Sequence, residues 1–329
     1  MPRVWRKYRR SAMSVAWVLV LVACVAAAIA VSYAVEALRS APLAPDRLSW
    51  APDIPVRYAD IGGGVKLRYI RAGSGPNLVL LHTLRTQLDL FEKVVPDLAK
   101  HFAVYALDYP GHGYSDIPQA QYDADFFVNT VERFLDVIDL RNVTLSGVSI
   151  GGAIALIMAG RRNARIARVV AINPYDYAKG RGMARSSLLG WMITMTSQIP
   201  LVGETVMRLR NFIIMKAVLQ GGVANPGSIR PALMRDMYDV GNRRGHYRAF
   251  ISLLRNSASW ESATRVYSNI DVPVCLIWGE KDWARRGERE HDRSLLPGAQ
   301  MATVANGGHF LPLDSPQELL ELIVGFARS

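Results

Sequence analysis

The chain has 329 residues, of which 50% are apolar and 20% charged, with a net charge of +11 at pH 7. That length suits one domain carrying an insertion, and the apolar share is enough for a sizeable core. The two cysteines, Cys24 and Cys275, imply no disulfide framework, and the positive charge comes with no recognised nucleic-acid-binding motif, which argues against a nucleic-acid partner.

Residues 1–11 form a basic tail, with Arg3, Arg6, Lys7, Arg9 and Arg10 and no acid. Residues 12–35 then carry no charge at all, which exceeds the roughly 20 residues a helix needs to cross a bilayer core. The span is also longer than the ~7–15-residue apolar region of a cleavable leader. Trp17 and Tyr33 lie near its ends, where interfacial aromatics are favoured. The expected reading is an uncleaved transmembrane signal anchor with the N-terminus cytoplasmic and the rest of the chain extracytoplasmic. The alternatives are a removed signal peptide, for which Ser32-Tyr33-Ala34 offers a small-x-small site, and a buried soluble helix. Residues 36–55, with Pro42, Pro45, Pro52 and Pro55, read as a semi-extended Ala/Pro linker able to hold a domain off the membrane.

Next come two short strands at 57–61 and 65–71, turning at Gly62-Gly63-Gly64. The run Asn77-Leu78-Val79-Leu80-Leu81 is a buried-strand pattern ending in His82-Thr83-Leu84-Arg85-Thr86. A helix is predicted over 88–100. A further strand, Val104-Tyr105-Ala106-Leu107, leads into Asp108-Tyr109-Pro110-Gly111-His112-Gly113-Tyr114-Ser115-Asp116. A helix over 123–140 shows Phe126, Phe127, Val131, Phe134, Leu135 and Ile138 at helix-face spacing. Then Val143-Thr144-Leu145-Ser146 runs into Gly147-Val148-Ser149-Ile150-Gly151-Gly152 and a small-residue helix. A strand that turns into a helix at Gly-x-Ser-x-Gly strains the serine backbone, lifts its Oγ above the sheet and aims helix N–H groups at developing charge.

After a strand at 168–172 the core pattern stops, and it resumes only at Val272. The interval 177–268 holds thirteen Lys or Arg against four Asp or Glu. Such a basic segment faces anionic headgroups, attracts an anionic substrate, or is simply solvated. It also carries large apolar residues, among them Leu188, Trp191, Met192, Ile213, Ile214 and Met215. Most are expected to pack this segment on the core and some to wall a pocket. Beyond it, Val274-Cys275-Leu276-Ile277-Trp278-Gly279 precedes Asp282, and Met301-Ala302-Thr303-Val304 precedes Gly307-Gly308-His309. Strands alternating with helical patterns predict an α/β fold with a mainly parallel sheet.

A serine hydroxyl needs a base to become a nucleophile, and the base needs an orienting acid. Ser149, Asp282 and His309 each follow a strand, at the sheet edge where open α/β sheets place their sites. Their order, together with the His82 strand end and the Asp108-to-Ser115 loop, resembles the α/β-hydrolase superfamily from about Val56 onward. The resemblance is nearest to lid-bearing ester and carbon–carbon bond hydrolases. It implies an eight-stranded core over 56–176 and 269–329, a helical lid over 177–268, and a catalytic triad of Ser149, His309 and Asp282. Asp176 is the rival acid. It also implies an oxyanion hole from the Ile150 and Leu84 amides. No His/Cys/Asp/Glu spacing suggests a metal site and no glycine loop reads as nucleotide-binding, so neither metal nor cofactor is expected. His82, His112 and Asp108 read as structural. The family has glycine after the strand-end histidine where this chain has Thr83, so the second oxyanion donor is the weaker assignment. The Thr83 hydroxyl and Arg85 are candidate substrate contacts.

The expected activity is serine-based hydrolysis of an ester or related carbonyl in a small apolar substrate, with an anionic group as an option. Carbon–carbon bond cleavage or perhydrolysis on the same triad, and a non-catalytic binding role, are the alternatives. Epoxide and haloalkane chemistry is disfavoured, because relatives with those activities need a carboxylate where Ser149 stands.

Overall fold

The computed structural model describes residues 2–328, with side chains from Val15 onward. The side chains of Arg3, Arg6, Lys7, Arg9 and Arg10 therefore lie outside the described residues.

Nine strands form the sheet: β1 (Arg47–Leu48), β2 (Ala51–Asp60), β3 (Lys66–Ala72), β4 (Asn77–Leu81), β5 (Ala103–Leu107), β6 (Val143–Val148), β7 (Ile166–Ile172), β8 (Val274–Gly279) and β9 (Gln300–Val304). Their order is β1-β2-β3-β5-β4-β6-β7-β8-β9. Pairing is antiparallel from β1 through β3 to β5 and parallel from β5 to β9. The predicted eight strands are β2–β9, and the ninth is the two-residue β1. Strand β2 starts at Ala51, so the last residues of the predicted linker belong to the sheet. They are drawn in because β1 offers β2 a second hydrogen-bonding edge across a tight turn at residues 48–51. Gly62, Gly63 and Gly64 close the β2–β3 hairpin with φ of +90°, +66° and +74°, a run that side chains would strain.

Strands β4, β5, β6 and β8 are covered on both faces, β4 apart from its first residue, as parallel strands between helical layers must be. The helices are α1 (Pro2–Ala37), α2 (Val95–Leu98), α3 (Ala124–Val137), α4 (Ile150–Gly160), the lid helices α5 (Leu188–Ser197), α6 (Val202–Arg208), α7 (Phe212–Gln220), α8 (Pro231–Gly241), α9 (His246–Arg255) and α10 (Ala258–Ala263), and then α11 (Arg286–Leu295), α12 (Leu311–Asp314) and α13 (Pro316–Arg328). The helix predicted over 88–100 is instead a 3₁₀ turn at Leu88–Phe91 and the single turn α2. Pro96 cannot donate a backbone hydrogen bond, so it sits in the first turn of a new helix rather than inside a long one. Helix α3 keeps the predicted apolar face and is capped by Asp123, whose carboxylate accepts from the Phe126 amide at 2.8 Å. Helix α4 is apolar all round and buried along its whole length, as expected of a helix wedged between sheet and neighbouring helices.

The α1 helix includes the apolar stretch Val15–Ala37, long and apolar enough to cross a membrane by length and composition, and 6% buried over its most apolar window. Its C-terminal end is not held away from the rest of the chain. Ile29, Ser32, Val35, Glu36 and Arg39 recur at helix-face spacing as its buried or half-buried positions. Against this face lie α6 and the following loop. Glu36 pairs with Arg210 at 2.8 Å and accepts from the Gly245 amide at 2.8 Å, and Ser32 accepts from Arg208 at 3.0 Å. Arg208 also lies 3.8 Å from the Tyr33 ring centre, and Arg39 donates to the Arg208 and Arg210 carbonyls at 2.9 Å. The spacer role expected of the linker is thus corrected: the lid seats directly on the helix end, because two buried guanidiniums find their acceptors there.

Candidate active site

Ser149 stands between β6 and α4 with φ 60° and ψ −118°, a left-handed position that a serine adopts only when its surroundings enforce it. The enforcement is visible in the two flanking glycines. A Cβ on Gly147 would come within 2.2 Å of Gly151, and one on Gly151 within 2.3 Å of the Leu81 carbonyl oxygen, so the turn closes only without side chains there. The Ser149 amide donates to the Ile172 carbonyl at 2.8 Å and its carbonyl accepts from the Tyr175 amide, which ties the elbow to the end of β7.

His309 is brought to the same edge by Asn173, the residue after β7. The Asn173 side-chain amide donates to the Gly308 and His309 carbonyls at 3.0 Å, and its oxygen accepts from the Gly279 amide at 2.8 Å. One side chain thus binds the ends of β7, β8 and the loop after β9. His309 Nδ1 lies 2.5 Å from Asp282 Oδ1, with both side chains fully buried. Nδ1 is thus the ring nitrogen engaged by the carboxylate, and Nε2 is the one left free. Asp282 is itself fixed by the Ala284 amide at 2.8 Å, and the Trp283 ring stacks on His309 at 3.8 Å between centres.

His309 Nε2, Ser149 Oγ and Thr83 Oγ1 are all buried and without a hydrogen-bond partner. An unsatisfied buried polar atom costs about 1–3 kcal/mol, so three of them along one sheet edge call for an explanation. Ile150 opens α4, and its N–H is among those a helix leaves free at its start. Leu84 lies in the loop after β4. Thr86 shapes that loop, its hydroxyl donating to the Thr83 carbonyl at 2.9 Å and accepting from the Thr83 amide at 3.3 Å.

Asp176, the rival acid, is elsewhere. It accepts from the Tyr267 hydroxyl at 2.7 Å, and its neighbour is Asp292. Burial raises both carboxyls, and for Asp292 the nearby Asp176 charge adds to the rise. A folded-state pKa above the unfolded value means that the native protein holds protons the unfolded chain releases. Stability is then lost as pH climbs from about 4 toward the raised pKa. Asp292→Asn, close in shape to the protonated acid, is expected to match the parent's melting temperature near pH 4. It should exceed the parent by a margin that grows on going alkaline, read by thermal melts across that range.

His82 and His112 are buried, and burial pushes each imidazole down to about 3, so both are neutral. His82 Nε2 accepts from the Tyr109 amide at 3.2 Å and Nδ1 donates to the Thr83 carbonyl at 2.7 Å, which pins the loop carrying Leu84. Asp108 accepts from the Leu88 and Tyr114 amides at 2.7 and 2.8 Å and pairs with buried Arg68 at 3.2 Å, the loop-fixing place expected of it.

A small cavity lies within the lid, walled by Ile193, Met207, Met215 and Phe250 and by four polar groups, Arg85, Arg210, Asn211 and His246, of which only Arg85 comes from outside the lid. Arg85 follows Leu84 directly, with φ 62°, and donates to the Gly241 carbonyl and His246 at 3.0 Å. Burial, with Arg210 and Arg39 nearby, pushes its guanidinium down to about 9, so it remains a cation at neutral pH. Among the described residues it has no carboxylate partner, unlike Arg210, which has Glu36. Three other lid cations have carboxylate partners: Arg185 pairs with Glu288 and Arg255 with Glu204, and Arg230 is bonded to Glu92. Asn173, Trp283, Arg210 and His246 were not anticipated from the sequence. Only Asn173 and Trp283 had a signal, each standing beside a strand end or a predicted triad residue.

The model of the alpha/beta hydrolase fold family matches residues 76–316. The chain belongs to that family. It is similar to an uncharacterised protein of Mycobacterium tuberculosis, 28% identical over 272 residues that cover 80% of this chain and 78% of that one. It is also similar to haloalkane dehalogenase 2 of Mycobacterium tuberculosis, 27% identical over 282 residues, 82% of this chain and 93% of that one. Among solved structures, the enol-lactonase from Burkholderia xenovorans LB400 superposes with a TM-score of 0.66 at 22% identity, covering 83% of this chain and 100% of the other.

Proposed function

We propose that this protein is a membrane-anchored serine hydrolase that cleaves an ester or related carbonyl bond through Ser149, His309 and Asp282. The observation that carries the reading is the orphaned Ser149 Oγ on a strained elbow, at the sheet edge where Asn173 holds the Asp282–His309 pair. His309 Nε2 takes the Ser149 proton as Oγ attacks the carbonyl, and Asp282 stabilises the imidazolium. The Ile150 and Leu84 amides hold the oxyanion, and water then releases the acyl group. Halide displacement, named for one relative, does not suit a serine elbow. Attack by a serine alkoxide on an alkyl halide would leave a stable ether, whereas a carboxylate would leave a hydrolysable ester.

Arg85, a cation without a counter-ion beside an apolar cavity, supports a substrate that carries a carboxylate or similar anion some distance from the scissile bond. Thr83 Oγ1 is a further contact on the same loop. The test compares hydrolysis of p-nitrophenyl esters of monocarboxylic and dicarboxylic acids, with a vinylogous diketone alongside. Esters are expected to turn over, and faster cleavage of the diketone than of any ester would favour carbon–carbon hydrolysis instead. In Arg85→Gln the KM for half-esters is expected to rise about 10–100-fold, the loss of a hydrogen bond to a charged group, while neutral esters change little. Equal effects on both would remove the anion-binding role.

Residues 12–35, most of them in the apolar stretch Val15–Ala37, are read as an uncleaved anchor, with the basic N-terminal tail cytoplasmic and the hydrolase domain on the far side.

A further inference from the structure

The lid presents an apolar surface that the hydrolase domain does not cover. Leu188 and Trp191 on α5, Ile199 and Leu201 in the turn to α6, and Ile213 on α7 are 72%, 51%, 51%, 64% and 77% exposed. Among the described residues beyond the helix and linker, only Val137 on the core is as open; Tyr58 and Met301, also on the core, are less exposed. Helix α5 packs on both α6 and α7, and exposed apolar residues gathered on neighbouring helices mark an interaction surface.

The position of α1 indicates what covers it. Helix α6 packs on the last two turns of α1, through Ser32, Tyr33 and Glu36. A helix crossing a hydrocarbon core of about 30 Å uses about 20 residues, so a crossing that starts at Ala12 ends near Val31. The lid contact begins at that level. Helix α5 packs on α6, the helix that makes this contact. Beside the same contact, Arg244 and Arg248 flank a surface groove with Tyr33, Ala37 and Glu36, whose carboxylate is paired with Arg210. Cations and a tyrosine beside the end of a membrane-crossing helix suit anionic headgroups.

We infer that the α5–α7 face of the lid is a bilayer-docking surface that sits in the headgroup and upper acyl region beside the anchor. The inference rests on the anchor reading above. Helices α5–α7 also supply Ile193, Met207 and Met215 to the cavity wall, so a docked lid places one side of that cavity against lipid and suits a substrate partitioned in the leaflet.

The test uses the full chain in vesicles of three parts phosphatidylcholine to one part phosphatidylglycerol, in a Cys24→Ser background that leaves only the buried Cys275. Single cysteines placed by Ala27→Cys, Trp191→Cys, Leu201→Cys or Val137→Cys carry an environment-sensitive fluorophore. Quenching by acyl-chain spin-labelled lipid is then measured. The expected result is loss of emission at 191 and 201 comparable to that at 27, with 137 unaffected. Quenching at 27 but not at 191 or 201 leaves the anchor standing and overturns the docked lid. So does a blue shift at 191 that spin-labelled lipid does not quench, which points to a protein partner or a second copy. Absence of quenching at all four positions removes the anchor and the docking surface together.

Discussion

Replacing Ser149 by alanine is expected to reduce ester turnover by on the order of 10⁴- to 10⁶-fold while leaving the melting temperature close to the parent value. The loss follows from removing the only oxygen on the elbow able to form an acyl intermediate. The fold survives because Oγ makes no hydrogen bond that the native state would miss. Stability gives the prediction its second edge. A side chain kept for structure would be expected to cost stability when truncated, whereas an orphaned hydroxyl should not, and its removal relieves a buried polar atom. Steady-state kinetics and thermal melts on the same preparation separate the two, and activity within tenfold of the parent would end the nucleophile assignment.

The second large effect is expected at Asp282. Asp282→Asn should lower kcat by about 10⁴ with little change in KM, because an amide no longer holds the proton on Nδ1. The ring is then free to place it on Nε2, the nitrogen that would have to take the Ser149 proton during attack. Asp282 accepts from both His309 and the Ala284 amide, so an asparagine keeps the shape and loses only the charge and the tautomer. Asp176→Asn, by contrast, should leave kcat within about tenfold, since Asp176 bonds to Tyr267 and not to His309. A reversal of these two results would move the acid to the end of β7.

Much of this geometry is legible in the sequence because it is local. Gly-x-Ser-x-Gly after a strand encodes its own turn, since each glycine stands where a Cβ would collide with backbone. Asp123 before an apolar-faced segment encodes a helix start. The pairing of residues 282 and 309 follows from chain order only through the family resemblance, and is seen directly as a 2.5 Å contact. What escaped is non-local. The contact of α1 with the lid depends on Glu36, Arg208 and Arg210, more than 170 residues apart, and no pattern along the chain announces it. Arg210 read as one more lid cation, and only burial distinguishes it from its solvated neighbours. The prolines of the linker hide strand β1, and the apolar run over 88–100 masks the break at Pro96.

The most direct test of the central claim is covalent capture. The full-length protein, treated with a fluorophosphonate probe and digested, is expected to carry the phosphonyl adduct on the peptide containing Ser149. The adduct should form much more slowly in His309→Ala and not at all in Ser149→Ala. An unlabelled Ser149 peptide, from protein that hydrolyses esters at the parent rate, would contradict the account.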